Sequence, residues 1–141
     1  MPLKNNPTLF DLIHVLDKAN ENMILAWKKL FKVNIGISHI LVLSYLKEHG
    51  KSKPTDIAKY LEFAPPSLTH LAEKLIHNHY CVRCQDTLDR RISYIQITPL
   101  GLEILEEAST LGAEMRQEYF KILSEDEIQE LFSIYTKLTS Q

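Results

Sequence analysis

The sequence predicts a mainly α-helical fold carrying one small β-hairpin. Three observations predict it. Apolar residues recur at three- and four-residue steps over most of the 141 residues, the period that lines one face of a helix. Prolines and short polar residues stand where helices start. Residues 80–85 and 92–97 change to a strand-like composition on either side of the polar stretch 86–91, which reads as a hairpin with a charged tip.

The first helix is expected to open at Thr8, which has the spacing of a capping box with Asp11. Leu9, Ile13, Leu16, Ile24, Trp27, Leu30 and Phe31 carry its stripe to about Lys32, and Asn34 and Gly36 end it. A second helix over residues 38–49, with Gly50 as its C-cap, is apolar on most sides through Ile40, Leu41, Leu43, Tyr45 and Leu46, so it should be buried. Pro54 suits the first turn of a short third helix bearing Ile57, Ala58 and Leu61. Pro65 and Pro66 can open a fourth, because the N–H groups they lack have no partner in a first turn. Its inward stripe is Leu68, Leu71, Ala72, Leu75 and Ile76, and its other face shows Ser67, Thr69, His70, Glu73, Lys74 and His77. After the hairpin, Thr98 and Pro99 start a long helix with Leu100, Ile104, Leu105, Ala108, Leu111, Met115 and Tyr119 in step. Ser124 and Glu127 form a second capping box, opening a last helix with Ile128, Leu131, Phe132, Tyr135 and Leu138 on one stripe.

Three helices followed at once by a hairpin give the order of a winged helix-turn-helix, here flanked by N- and C-terminal helices. In that arrangement the second helix of the turn presents its N-terminal residues to base edges in the DNA major groove. Those residues are Ser67, Thr69 and His70, with Lys74 further along the same face. Arg90 and Arg91 at the hairpin tip can enter a minor groove or bind phosphate. Asp89 cannot itself favour phosphate, so its expected role is to accept hydrogen bonds from an arginine or loop amides and fix the wing's shape.

The stretch His79-Tyr80-Cys81-Val82-Arg83-Cys84-Gln85-Asp86-Thr87-Leu88-Asp89-Arg90-Arg91, closing in Ile97-Thr98-Pro99-Leu100-Gly101, resembles the wing signature of the MarR family of bacterial transcriptional regulators: a D-R-R tip and a closing L-T-x-x-G. The resemblance implies a homodimer whose terminal helices pair, two recognition helices in successive major grooves of double-stranded DNA, and wings in the flanking minor grooves. It divides the chain into a winged helix-turn-helix lobe at about 36–98 and dimerisation helices at about 7–33 and 99–141. It places Asp89 and Arg91 at fixed wing positions and Ser67, Thr69 and His70 at base-facing ones. Three positions depart from the pattern: His79 stands where glycine is usual, Ala64 where a small polar residue starts the recognition helix, and His70 where arginine is common on the reading face. Histidine tolerates positive φ better than most residues, and Pro65 partly offsets the missing cap.

The resemblance also implies a small aromatic or phenolic effector, for which Met23, Trp27, Phe31, His39 and Tyr45 are the candidate residues, set against the plain alternative that these aromatics are core. Cys81 and Cys84 have C-x-x-C spacing, but residues three apart on a strand face opposite ways about 10 Å apart, beyond disulfide reach. No second C-x-x-C completes a zinc site, and the six scattered histidines define none. No metal or cofactor is expected, while thiol- or metal-responsive regulation stays open as an alternative.

Composition narrows the field further. Only 4 glycines are present, and neither G-x-G-x-x-G nor G-x-x-x-x-G-K-[ST] occurs. Nor can a nucleophile, base and orienting group be tied together by spacing, so no enzyme is expected. No apolar run reaches the length of a membrane span and residues 1–12 lack the order of a secretory signal, which points to the cytoplasm. Residues 1–98 carry 13 Lys and Arg against 9 Asp and Glu, whereas residues 99–141 carry 3 against 9. One end is thus suited to face a polyanion. Residues 65–98, however, hold 4 basic against 3 acidic residues, which keeps a protein-binding winged helix as the alternative to a ligand-responsive repressor acting on a pseudo-palindromic operator.

Overall fold

The computed structural model describes residues 5–141; the first four positions of the stretch read for a leader lie outside the described residues. The elements are α1 (Leu9–Leu30), α2 (Ile37–His49), α3 (Pro54–Leu61), α4 (Pro65–His77), β1 (Cys81–Gln85), β2 (Ser93–Ile97), α5 (Pro99–Phe120) and α6 (Glu125–Thr139). They form two compact units, one of the residues up to Leu30 with Leu111–Gln141, the other Phe31–Thr110. The order is that of the expected winged helix-turn-helix with flanking helices.

Helix starts follow from local hydrogen bonds. The Thr8 amide donates to Asp11 Oδ2 at 2.9 Å and the Asp11 amide to Thr8 Oγ1 at 3.2 Å. Ser124 and Glu127 exchange the same pair at 2.9 and 3.1 Å. Thr98 Oγ1 accepts the Gly101 amide at 3.0 Å. Each pair satisfies amides that a first turn leaves without partners. At α3 and α4 the capping positions are Lys53 and Ala64, with no side-chain bond, and proline in the first turn takes over.

In the Phe31–Thr110 unit the core joins Val42, Leu43 and Leu46 of α2, Ile57 and Ala58 of α3, Leu68, Ala72 and Leu75 of α4, and Cys81 and Ile95 of the strands. Burying each large side chain contributes about 1.5–3 kcal/mol. The expectation that α2 is buried all round needs correction. Its Val42–Leu43–Leu46 side is covered by α3, α4 and β2, but Leu41 on the other side keeps 44% of its surface exposed.

Two left-handed residues turn the chain into and out of α4. Glu62 (φ 58°, ψ 37°) closes α3 with its amide on the Ala58 and Lys59 carbonyls. His79 (φ 65°) follows α4, where the His79 and Tyr80 amides donate to the Ile76 and Leu75 carbonyls at 3.0 and 2.9 Å. Histidine therefore does take the conformation that suits glycine there. Gly101 is required by contact instead: a Cβ on it would lie 2.1 Å from the Tyr80 carbonyl oxygen and 2.8 Å from Ile97 Cγ1. Its bare backbone lets the first turn of α5 press on the entry to β1.

The hairpin is antiparallel, with Cys81 opposite Ile97 and Gln85 opposite Ser93. Ser52 adds an isolated antiparallel bridge on the other edge of β2, exchanging both backbone hydrogen bonds with Ile95 at 3.0 and 2.8 Å. This ties the root of the wing to the loop after α2.

In the other unit Trp27 and Met115 are buried. A Cβ at Gly112 would sit in ordinary contact with the Trp27 indole, and the Tyr119 hydroxyl donates to the Ala19 carbonyl at 3.4 Å. Much apolar surface stays uncovered, including Phe10 at 81% and Phe132 at 72% exposure.

Candidate nucleic-acid interface

Helix α4 turns Leu68, Ala72 and Leu75 inward, which leaves Ser67, Thr69 and His70 exposed along its first two turns. The Thr69 hydroxyl donates to the Pro65 carbonyl at 3.0 Å. Its proton is thereby engaged, and it faces outward mainly as an acceptor. Lys74, one turn after His70, is half-buried.

His39 stands at the start of α2 on this same side of the unit. Its Nδ1 accepts the Gly36 amide at 3.1 Å, which requires that nitrogen to be unprotonated. Burial, then the positive charges of Lys74 and His70, lower its pKa. Of the five effector candidates, then, His39 is one whose charge environment is set in part by α4, through Lys74 and His70. Tyr45 is in the same unit, stacked on His49 with ring centroids 4.2 Å apart and 4.9 Å from Tyr60. Phe31 is buried in this unit, whereas Met23 (half-buried) and Trp27 (buried) belong to the terminal-helix unit. That unit has an apolar groove of about 540 Å³ lined by Ala26, Leu30, Met115 and Tyr119 with Lys29, Glu114 and Glu118. None of the five candidates lines it.

The wing tip is braced from within. Asp86 Oδ2 accepts the amides of Leu88 and Asp89 at 3.1 and 3.0 Å. The Asp86 amide donates to the Ile92 carbonyl at 2.9 Å, and the Ile92 amide to the Asp89 carbonyl at 3.0 Å. Asp89 then holds Arg91 at two points, Nε to Oδ1 and Nη2 to Oδ2, both 3.0 Å, while Oδ1 also accepts the Arg91 amide at 3.0 Å. This is the role expected of Asp89. The Arg91 guanidinium and amide hold the Asp89 carboxyl below the usual carboxylate range, and Asp89 raises Arg91 in turn. Arg90 is exposed and enters none of these bonds.

Asp86 and Tyr94 of the wing, and Lys51 beside it, have no role of their own in the sequence reading. In sequence Asp86 reads as one residue of the polar loop, although an aspartate two and three residues before amides needing a partner is a turn signal. The Asp89 and Leu88 amides lower its pKa. Tyr94 donates its hydroxyl to Asp86 Oδ1 at 3.3 Å, and Lys51 Nζ lies 5.3 Å from the Tyr94 ring centroid. Burial and the neighbouring Asp86 raise the Tyr94 pKa. Neither contact has a local signal, because both depend on the register that sets Tyr94 beside Cys84.

The cysteines are free. Cys81 is buried under the sheet, which pushes its thiol up to about 12. Cys84 Sγ lies 3.5 Å from Gln96 Oε1. Among the described residues no group of three His, Cys, Asp or Glu is placed to hold a metal ion, and no helix is long and apolar enough to cross a membrane.

Comparison with known proteins converges on this geometry. A profile of the MarR family matches residues 35–93, from the start of α2 through the wing tip. The HTH-type transcriptional repressor MdtR of Bacillus subtilis is 29% identical over 107 residues, covering 76% of this chain and 69% of MdtR. A mutant of S. aureus MepR superimposes with a TM-score of 0.81 at 26% identity, covering 95% of this chain and 98% of that one. Bordetella bronchiseptica BpsR, whose DNA binding is regulated by 6-hydroxynicotinic acid, shares the fold with a TM-score of 0.68 at 20% identity over 91% of this chain and 98% of that one. With its helix order, its braced Asp89-Arg90-Arg91 wing and these relatives, the chain belongs to the MarR family of winged-helix, DNA-binding transcriptional regulators, which are not enzymes.

Proposed function

We propose that the chain is a cytoplasmic, homodimeric, ligand-responsive repressor that binds a pseudo-palindromic operator in double-stranded DNA. The carrying observation is that one unit presents both an exposed polar N-terminal face on α4 and a wing whose arginine is fixed in place by Asp89. In this reading Ser67, Thr69 and His70 meet base edges or phosphates, Lys74 supports them, and Arg90 and Arg91 enter the flanking minor groove. The exposed apolar faces of α1 and α6, Phe10 and Phe132 among them, supply the surface a second copy would bury. The lobe at about 36–98 reads DNA, and the helices at about 7–33 and 99–141 dimerise.

Two relatives support the finer points: MdtR is a repressor, and a small aromatic acid regulates the DNA binding of BpsR. A small aromatic or phenolic effector that changes the spacing of the two lobes would spoil simultaneous docking of both recognition helices, and coupling of about 1–3 kcal/mol suffices for regulation. Met23, Trp27, Phe31, His39 and Tyr45 are the residues to vary first in seeking that effector.

Selection of duplexes from a randomised library by the intact protein tests the reading. An inverted repeat with half-sites about one helical turn apart is expected, and inserting about five base pairs between them should abolish tight binding by turning the half-sites to opposite faces. A second reading, a winged helix that binds protein, is favoured by one observation, the near balance of charge over residues 65–98. Selection that returns no preferred sequence would favour it, whereas a steep salt dependence of DNA binding counts against it.

A further inference from the structure

We propose that Leu88 is an apolar probe of the minor-groove floor, making the wing discriminate A·T from G·C steps at the operator flanks. The inference rests on the DNA-binding reading above and goes beyond it to one side chain and one chemical group on the DNA.

Leu88 is 96% exposed, the most exposed large apolar side chain among the described residues. A flexible tip would let such a side chain fold back onto the hairpin. This tip is held: Asp86 takes the Leu88 and Asp89 amides, and two backbone bonds between Asp86, Asp89 and Ile92 close the loop beneath them. Tyr94 steadies Asp86 from the strand. The backbone therefore presents Leu88 outward in a fixed attitude, one residue before the Asp89–Arg91 pair and two before the exposed Arg90. Cationic side chains around an apolar point match a groove with phosphate walls and a floor of base edges.

The floor differs between base pairs in one respect that a leucine can sense. A·T and T·A pairs show only acceptors there, while G·C adds the guanine N2 amino group. That group projects toward the bound side chain and would lose water with no acceptor on leucine to replace it. The narrow groove of an A·T-rich flank, by contrast, gives a branched aliphatic chain close walls to pack on. Apolar side chains are found in the minor grooves of protein–DNA complexes, there as wedges that part base steps; Leu88 would instead rest on the floor of an intact groove.

The test uses the intact protein and the duplex it selects from a randomised library. The wing-facing flank is made A·T, G·C or inosine·C, the last keeping the major-groove face of G·C but lacking the N2 amino group. Wild type should bind the A·T and inosine·C flanks alike and the G·C flank about 5- to 20-fold more weakly. Leu88→Ala should bind the A·T flank about 3- to 10-fold more weakly than wild type and lose most of the discrimination. Its salt dependence should be unchanged, because no phosphate contact is removed, whereas Arg90→Ala should lower the slope of log affinity against log salt by about one. Circular dichroism and melting of Leu88→Ala should match wild type, since the residue is almost wholly in solvent.

Selective binding by wild type with an unaltered flank preference in Leu88→Ala would overturn this inference and leave the DNA-binding reading standing. Wild type that selects no sequence at all would overturn both.

Discussion

Arg91 is held by Asp89 at three points: two bonds from its guanidinium and one from its own amide, all 3.0 Å. The side chain is nevertheless 90% exposed. The pair thus fixes where the guanidinium is without hiding it, and an arginine so held loses less conformational entropy when a phosphate or groove takes its outward edge.

The carboxylates of the wing should report this bracing on acidification. Asp86 and Asp89 both have lowered pKa values, Asp86 chiefly through the Asp89 and Leu88 amides and Asp89 chiefly through the Arg91 side chain. A depressed folded-state pKa means that the stabilisation is present above the ordinary carboxylate value and is lost as the pH falls through the folded value. NMR titration of the side-chain carboxyl carbons should place both midpoints below that of a free aspartate, with the Leu88, Asp89 and Arg91 amides losing exchange protection in the same range. Midpoints at or above the free value would show an unbraced wing.

Gly101→Ala is expected to destabilise the fold by about 1–3 kcal/mol, as overpacking of a close contact does. Its added carbon would collide with the Tyr80 carbonyl, a backbone atom that also accepts the Thr98 amide at 3.0 Å and cannot simply swing away. Denaturant melts would show a lower midpoint at unchanged slope. Gly50→Ala makes a useful contrast, because its difficulty is the positive φ of 78° with nothing within 4 Å.

His79→Gly should stabilise by about 0.5–1 kcal/mol. A left-handed backbone costs a residue with a Cβ about 1–2 kcal/mol, and glycine gives back part of that relief through its greater freedom when unfolded. The φ of 65° at His79 motivates the change, and thermal melts would check it. A lower melting temperature would mean that the imidazole makes a compensating contact.

The two thiols should differ sharply toward alkylation. Burial pushes Cys81 up to about 12, so near neutral pH it is almost wholly protonated and shielded, and the thiolate is the reactive form. Mass spectrometry after iodoacetamide treatment of the native protein should find Cys84 modified first and Cys81 only on unfolding. Fast modification of Cys81 would favour the thiol-responsive alternative.

Local chemistry made most of the fold readable from sequence. Thr8 with Asp11, Ser124 with Glu127, and Thr98 before Pro99 each carry their cap within three residues, and the structure forms all three. The Asp89–Arg91 bracing was equally readable because the partners are two residues apart. Tyr94 and Lys51 were not, since the first meets Asp86 eight residues away across the hairpin and the second reaches Tyr94 from the loop after α2. Periodicity also misjudged α2. An apolar helix side such as that of Leu41 looks the same in sequence whether the protein's own core or a partner is to cover it.

The central claim is that this is a wing-dependent reader of DNA sequence. Fluorescence-anisotropy titration of wild type and Arg91→Ala tests it most directly, using the duplex that wild type enriches most from a randomised library, beside a scrambled duplex, at two salt concentrations. The account predicts selective, salt-sensitive binding that Arg91→Ala weakens by about 1–3 kcal/mol. Equal affinity of wild type and Arg91→Ala for both duplexes, at either salt concentration, would contradict it.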